Sequence, residues 1–149
     1  MSLETIINEQ MKAAMKSGEK LRLETIRSIR AVIIEFSKTG TGKEMTPDEE
    51  INILNSLAKK RKDAIEMYAN AGRTDLKEKE EEELQIIMEF LPKQMSADEM
   101  RDVIRDIMSE NGFDKASDLG KLIGASVKQL KGKGDNKLIQ QIAKELLGA

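Results

Sequence analysis

The sequence of 149 residues has no cysteine and no histidine. These absences exclude a thiolate nucleophile, a disulfide, an imidazole base and the usual zinc site. Asp48 and Glu49 form a carboxylate pair of the kind that could support catalysis, but the capping of a predicted helix accounts for both residues. No other acid–base group stands out. We therefore expect no catalytic residue, no metal and no cofactor.

Long apolar runs and a basic leader are also missing. The first residues, MSLETIINEQ, lack the features of a signal peptide, and no stretch approaches the length of a membrane span. These absences predict a cytoplasmic protein with no membrane partner. Since the net charge is −2, any affinity for nucleic acid must come from a local basic patch.

The residues that are present favour helices. Leu, Ile, Met and Ala recur at spacings of three and four, and we find no alternating pattern of the kind that strands show. The only two prolines, Pro47 and Pro92, fall where helices should begin or end. The sequence therefore predicts an all-α protein with a four-helix N-terminal domain, residues 1–95, and a small three-helix C-terminal bundle, residues 96–149.

Helix starts and ends follow from capping residues. The second helix is expected from about Glu19 to Ser37, followed by the Gly-rich segment SKTGTGKEM. That segment lacks a preceding strand and the G-x-x-x-x-G-K-[ST] spacing, so we interpret it as a flexible connection. Five residues are predicted to cap helices, two of them in capping boxes closed by Glu49 and Glu99: Ser2, Thr46, Thr74, Ser96 and Asp135.

Positive charge is concentrated in three places. From residue 121 to the end there are six lysines and two acids, a net charge of +4. Smaller excesses lie in residues 12–30 and 59–62. The run KEKEEEE at residues 77–83 is expected to be a solvated helix face, because like charges that dense resist burial.

The turn KGKGD, residues 131–135, has two interpretations. Gly132 and Gly134 permit positive φ and could expose successive N–H groups beside Lys131 and Lys133, which would cradle a phosphate. Alternatively, the segment is a C-cap glycine, a short turn and an N-capping Asp135. Because Asp135 would repel an anion, the residues alone favour the connecting turn.

Arg61 is unusual because it falls within the apolar stripe of the third helix. It is expected either to extend past the stripe into water or to be buried with an acidic partner, and a structural role is favoured over ligand binding. Tyr68 on the same stripe is expected in the core with its hydroxyl at the edge.

The last third of the chain resembles the GatB/YqeY family. The stretch DLGKLIGASVKQLKGKGDNKLIQQIAKELL matches the pattern D-[ML]-G-K-[LV]-[MI]-G, a K-G-[KR]-[AG]-D turn and a final helix ending in ELL. Upstream, KKRKDAIEMYANAGRTDL and EFLPKQMS resemble stand-alone YqeY proteins. The resemblance covers essentially the whole chain.

The resemblance implies contact with tRNA or another RNA, and it does not imply amidotransferase activity. The C-terminal part is similar to the tail of the B subunit of the glutamine-dependent aspartyl/glutamyl-tRNA amidotransferase, a carbon–nitrogen ligase whose tail contacts tRNA. The chain carries no glutaminase or nucleotide site of the larger enzyme. Gly120 and Gly124 are interpreted as sites of close helix packing. The resemblance implies phosphate contacts from the following residues: Lys121, Lys128, Lys131, Gly132, Lys133, Gly134 and Lys137.

Five further residues are candidates for secondary basic or structural roles: Arg27, Arg30, Arg61, Lys62 and Arg73. The expected partner is tRNA, and no DNA binding is expected. The alternative hypothesis is a protein-interaction module that docks on an amidotransferase, a synthetase or the translation apparatus, with the acidic run Glu78–Glu83 facing a basic partner.

Overall fold

A computed structural model describes residues 2–39 and 44–149. The described residues contain helices and no strand, which confirms the predicted all-α class. Within them, no helix is both long and apolar enough to cross a membrane. The described residues form the following α-helices: α1 (Leu3–Ser17), α2 (Lys20–Thr39), α3 (Pro47–Asn70), α4 (Thr74–Met88), α5 (Ala97–Asn111), α6 (Leu119–Gln129) and α7 (Asn136–Leu147). A short 3-10 helix, Ala116–Asp118, precedes α6.

Most of the predicted helix starts are confirmed because capping depends on neighbouring residues. The Ser2 hydroxyl accepts a hydrogen bond from the Thr5 N–H. Thr46 and Glu49 form the full capping box, with Glu49 N–H donating to Thr46 Oγ1 at 3.2 Å and Thr46 N–H donating to Glu49 Oε2 at 2.7 Å. Each such cap stabilises a helix by about 1 kcal/mol.

Two predictions about helix starts need correction. The cap of α4 is Arg73, and Thr74 is the first helical residue. The Arg73 N–H donates to the Tyr68 carbonyl and closes α3, so the chain enters α4 one residue earlier than a Thr74 cap requires. At α5, Ser96 accepts from the Glu99 N–H, which is half of the predicted capping box.

The Gly-rich connection is shorter than predicted. The segment SKTGTGKEM begins at residue 37, but α2 continues to Thr39, so its first three residues are helical. Residues 40–43 of the segment lie outside the described residues. At its end, Met45 packs against the core of the N-terminal part.

The chain forms two compact units, Met1–Leu91 and Pro92–Ala149. In the first unit α1 packs on α2, α3 packs along α4, and α2 contacts both α3 and α4. Compactness does not test independent folding, so the predicted domains 1–95 and 96–149 stay a prediction. The core of the first unit consists mainly of these residues: Leu3, Ile7, Ala14, Ile26, Ile29, Ile33, Leu54, Leu57, Ala58, Ile87 and Leu91.

In the second unit, α5, α6 and α7 pack against one another. Their apolar faces meet at helical spacing, so the buried side chains share one cluster and the charged ones face outward. Fully burying one Leu or Ile side chain contributes about 1.5–3 kcal/mol. The core contains these residues: Met100, Ile104, Ile107, Leu122, Leu130, Ile139, Ile142 and Ala143.

Candidate nucleic-acid interface

The turn between α6 and α7 begins with a glycine-containing helix C-cap. Leu130 closes α6, and Gly132 has φ 76°, a left-handed conformation that costs glycine little and other residues more. The Lys133 N–H donates to the Leu130 carbonyl at 2.9 Å. Asp135 then caps α7 by accepting from the Lys137 N–H at 3.0 Å, as predicted.

Gly134 does not use the positive φ that glycine permits. Among the described glycines of this turn, Gly132 alone has a positive φ. Gly134 instead lies against the core: a Cβ at this position would collide with the Met100 thioether sulfur, so the end of the Met100 side chain would have to shift. Because the Lys133 N–H is bonded inside the turn, Lys133 does not supply one of the predicted exposed N–H groups.

A segment 38 residues earlier in the sequence is bonded to the turn. Gln94 Nε2 donates to the Gly132 carbonyl at 2.7 Å and also to the Pro92 carbonyl at 2.8 Å. The Met95 N–H donates to the Lys133 carbonyl at 2.8 Å. Gln94 was not predicted from the sequence, because no local pattern distinguishes a glutamine that bonds a distant backbone from one that faces water.

The candidate lysines lie on α6, in the turn and on the first turn of α7. Four of them, Lys121, Lys128, Lys133 and Lys137, are exposed, and Lys131 is half-buried. Lys121 and Lys128 are seven residues apart, so they share one face of α6, about 10 Å apart along the axis. The segment therefore presents positive charge along α6 and around the turn.

Gly120 and Gly124 correct another prediction. They were predicted to allow close helix packing, but both are exposed, and apart from the adjoining residues of α6 no described atom lies within 4 Å of a Cβ placed at either one. They lie one helical turn apart beside Lys121 and Lys128. The α6 surface is consequently flat here, and its backbone is open to close approach by another molecule.

Negative charge lies elsewhere in the same unit. Residues 98–114, which include most of α5, hold six acids and two arginines, a net charge of −4, whereas residues 121–149 carry +4. Arg101 pairs with Glu145 of α7 at 3.1 Å, and Arg105 lies 3.9 Å from Asp102. The unit is therefore nearly neutral in sum, with most of its acids on α5 and most of its lysines on α6, the turn and α7.

The secondary basic candidates of the first unit differ in exposure and in their described contacts. Arg27, Arg30 and Lys62 are exposed. Arg30 Nε donates to Asn8 Oδ1 at 3.2 Å, and Arg73 pairs with Asp75 at 3.4 Å on the surface. The Arg73 guanidinium lowers the pKa of the Asp75 carboxyl.

Arg61 has acidic partners, as one of its two interpretations predicts. Its Nε lies 2.9 Å from Glu83 Oε2 and 3.5 Å from Glu80 Oε2, and the three side chains keep 19%, 11% and 20% of their surfaces exposed. Neither Arg61 Nε nor Glu80 Oε2 has a hydrogen bond of good geometry within the described residues. The ion pair is therefore close but poorly aligned.

The position of Glu83 corrects the prediction that the run at residues 77–83 is wholly solvated. Glu83 is buried between α3 and α4, because Arg61 supplies the opposite charge. Burial raises the pKa of the Glu83 carboxyl above its ordinary value of 4.5; Arg61 opposes this shift and Glu80 adds to it. Glu78 and Glu82 remain exposed.

Comparison with known proteins identifies relatives in several organisms. The chain is 29% identical over 148 residues to a Pyrenophora tritici-repentis protein named "Altered inheritance of mitochondria protein 41, mitochondrial", covering 96% of this chain and 80% of that one. A Lachancea thermotolerans protein of the same name is 32% identical over 85 residues, 57% of this chain and 46% of that one. An uncharacterized Schizosaccharomyces pombe protein is 33% identical over 95 residues, 64% and 76% of the two chains.

The relatives correct one prediction, and a family model identifies the family. The cytoplasmic location predicted from the N-terminal sequence is contradicted, since two relatives are named as mitochondrial proteins. Short N-terminal patterns are weak indicators of location, which explains the error. The family model described as Yqey-like protein matches residues 4–147, nearly the whole sequence. The chain belongs to the YqeY-like protein family.

Proposed function

We propose that this protein binds tRNA through the phosphate backbone and catalyses no reaction by itself. The proposed contacts come from the lysines of α6, the turn and α7. The observation that carries the proposal is the separation of charge within the second unit, with +4 on residues 121–149 and −4 on residues 98–114. A polarised surface of this kind attracts a polyanion to one side and repels it from the other.

The aromatic content supports backbone contact over base recognition. Phe113 is the only aromatic residue of residues 92–149, and it packs partly buried against the core of that unit. Proteins that recognise unpaired bases stack them on exposed aromatic rings. The exposed glycines of α6, Gly120 and Gly124, instead favour close approach of a sugar–phosphate backbone between Lys121 and Lys128.

The resemblance of this region to the tail of the amidotransferase B subunit supports the same ligand. That resemblance rests on Asp118, Gly120, Lys121 and Gly124, together with the KGKGD turn. It extends to the tail alone, so amidotransferase activity does not follow from it. We infer an accessory role, in which the unit brings tRNA to an enzyme or holds it there.

The test is binding of bulk tRNA to the full chain over a salt series, with Lys131→Glu/Lys133→Glu as the variant. Binding should weaken steeply with salt, and the variant should lose affinity by about tenfold or more. Lys59→Glu/Lys60→Glu is the matched control, because it reverses two adjacent exposed lysines of α3. Equal loss in both variants would indicate a general charge effect, and no binding at low salt would refute the proposal.

A protein-interaction role is the second candidate function. It is favoured by the exposed acidic surface of α5, which includes Asp98, Asp102 and Asp106. The acidic run of α4 supports it less than its sequence suggests, because Glu83 is paired with Arg61. A partner retained on immobilised protein after nuclease treatment, and lost on Asp102→Lys/Asp106→Lys substitution, would support this role.

A further inference from the structure

The side-chain amide of Gln94 is hydrogen-bonded to backbone carbonyls although the residue is exposed. Its amide nitrogen carries two hydrogens, and both have carbonyl acceptors: Pro92 at 2.8 Å and Gly132 at 2.7 Å. An exposed glutamine loses side-chain entropy when it is fixed in this way, so the two hydrogen bonds must offset that cost. The amide therefore connects the first residues of the second unit to the basic turn.

The Met95 backbone makes a second connection to the same turn. Its N–H donates to the Lys133 carbonyl at 2.8 Å, next to the carbonyl that Gln94 holds. Because peptide units are planar and trans, fixing the carbonyls of Gly132 and Lys133 also fixes the N–H groups of Lys133 and Gly134. The orientation of the turn thus depends on the segment Pro92–Met95.

We propose that Gln94 is a positioning residue for RNA binding, which holds the turn in the conformation that presents Lys131 and Lys133 to phosphate. This inference rests on the proposed function. Gln94 itself contributes no charge, so it acts only through the turn. The hydrogen bonds from the segment Pro92–Met95 to the turn favour RNA binding. By thermodynamic linkage, bound RNA must stabilise these hydrogen bonds by the same free energy.

The test uses the full chain with Gln94→Met, which keeps the length of the side chain and removes both donors. Gln141→Met is the matched control, because the Gln141 amide donates to the Glu145 carboxylate, at 3.4 Å on the exposed surface of α7, and makes no described bond to the turn. The first measurement is amide hydrogen exchange without RNA. Exchange at Met95 should rise by about two- to tenfold in Gln94→Met, as expected for loss of a hydrogen bond, and should not change in Gln141→Met.

The second measurement is tRNA binding over a salt series. Gln94→Met should weaken binding by about two- to tenfold with an unchanged salt dependence, because no phosphate contact is removed. Saturating tRNA should also slow exchange at Met95 in the wild type and have much less effect in Gln94→Met. A purely structural role would not produce this ligand-dependent protection. Unchanged exchange at Ile104 and Ile139 in the core will show that the variant is folded.

The outcomes separate the inference from the function on which it rests. If wild-type protein binds tRNA and Gln94→Met binds equally well, with no change in protection at Met95, the positioning role is wrong. If wild-type protein binds no tRNA, the proposed function fails and the linkage to RNA fails with it. The exchange experiment without RNA still decides whether Gln94 orders the turn.

Discussion

The two units use charge in opposite ways. In the first unit, Arg61 and Glu83 lie 2.9 Å apart between two helices, with Glu80 beside them. In the second unit, the acids concentrate on residues 98–114 and the lysines on residues 121–149. The first arrangement joins two helices within a unit, and the second leaves an electrostatic field at the surface.

The net charge of each unit reveals neither arrangement. Residues 1–95 carry a net charge of −2 and residues 96–149 carry none, so neither sum indicates an internal ion pair or a basic surface. Removing a charge should therefore have different consequences in the two units. In the first it should change stability, and in the second it should change binding.

The largest effect is expected from Arg61→Met. The substitution keeps apolar contact along the stripe of α3 but leaves Glu83 and Glu80 facing each other without a cation. We expect a loss of about 2–3 kcal/mol in the free energy of unfolding, below the range for a fully buried pair because the groups are partly exposed. Urea denaturation measures it. Arg73→Met, in an exposed pair, should cost under about 1 kcal/mol, and an equal loss in both variants would remove the distinction.

A smaller effect on binding is expected from Lys128→Gln on α6. If Lys128 contacts a phosphate, the slope of log affinity against log salt should fall in magnitude by about 1, with no loss of stability. Arg105→Gln removes one positive charge from the acidic side of the same unit and should leave the slope unchanged. Identical slopes in the two variants would contradict a localised interface.

Gly124→Ala should increase the stability of the protein and weaken its binding to tRNA. Glycine inside an exposed helix is destabilising by about 0.5–1 kcal/mol relative to alanine, and no described atom opposes a Cβ at this position. We expect unfolding at higher urea concentration together with weaker tRNA binding, since the added methyl group keeps a backbone away from α6. An increase in stability with unchanged affinity would show that the glycine does not serve this interface.

The smallest effect concerns pH. Burial raises the pKa of Glu83 in the folded protein, so between 4.5 and the raised value the folded state binds more protons than the unfolded state. The contribution of Glu83 to stability should therefore decrease as the pH rises through this interval. The measurement is the urea midpoint of unfolding at pH 5 and at pH 7. In Glu83→Gln, the part of the change in midpoint between these two pH values that comes from Glu83 should be absent. An unchanged difference would assign the pH dependence to other groups.

Local features were predictable from the sequence, and long-range pairings were not. The Thr46–Glu49 capping box and the Asp135 cap involve residues close in the chain, so their patterns sufficed. The position of Arg61 in an apolar stripe indicated an acidic partner, but nothing local identified Glu83 across the helix pair. The same limit applies to Gln94, whose acceptor on Gly132 lies 38 residues away.

The interpretation of Gly120 and Gly124 failed for a related reason. A pair of glycines spaced four residues apart indicates that something approaches the helix closely. It does not indicate whether the approaching surface belongs to the same chain. Here no described atom fills the space, so the pattern was informative about the surface of α6 and misleading about its partner.

The contact between Met100 and Gly134 has a consequence for how this sequence can vary. Any side chain at position 134 must displace the end of the Met100 side chain, and Met100 is buried in the core of the second unit. Substitutions at the two positions should therefore be epistatic. In a library that varies both residues, alanine at position 134 should survive selection for folding mainly in combination with a shorter side chain at position 100.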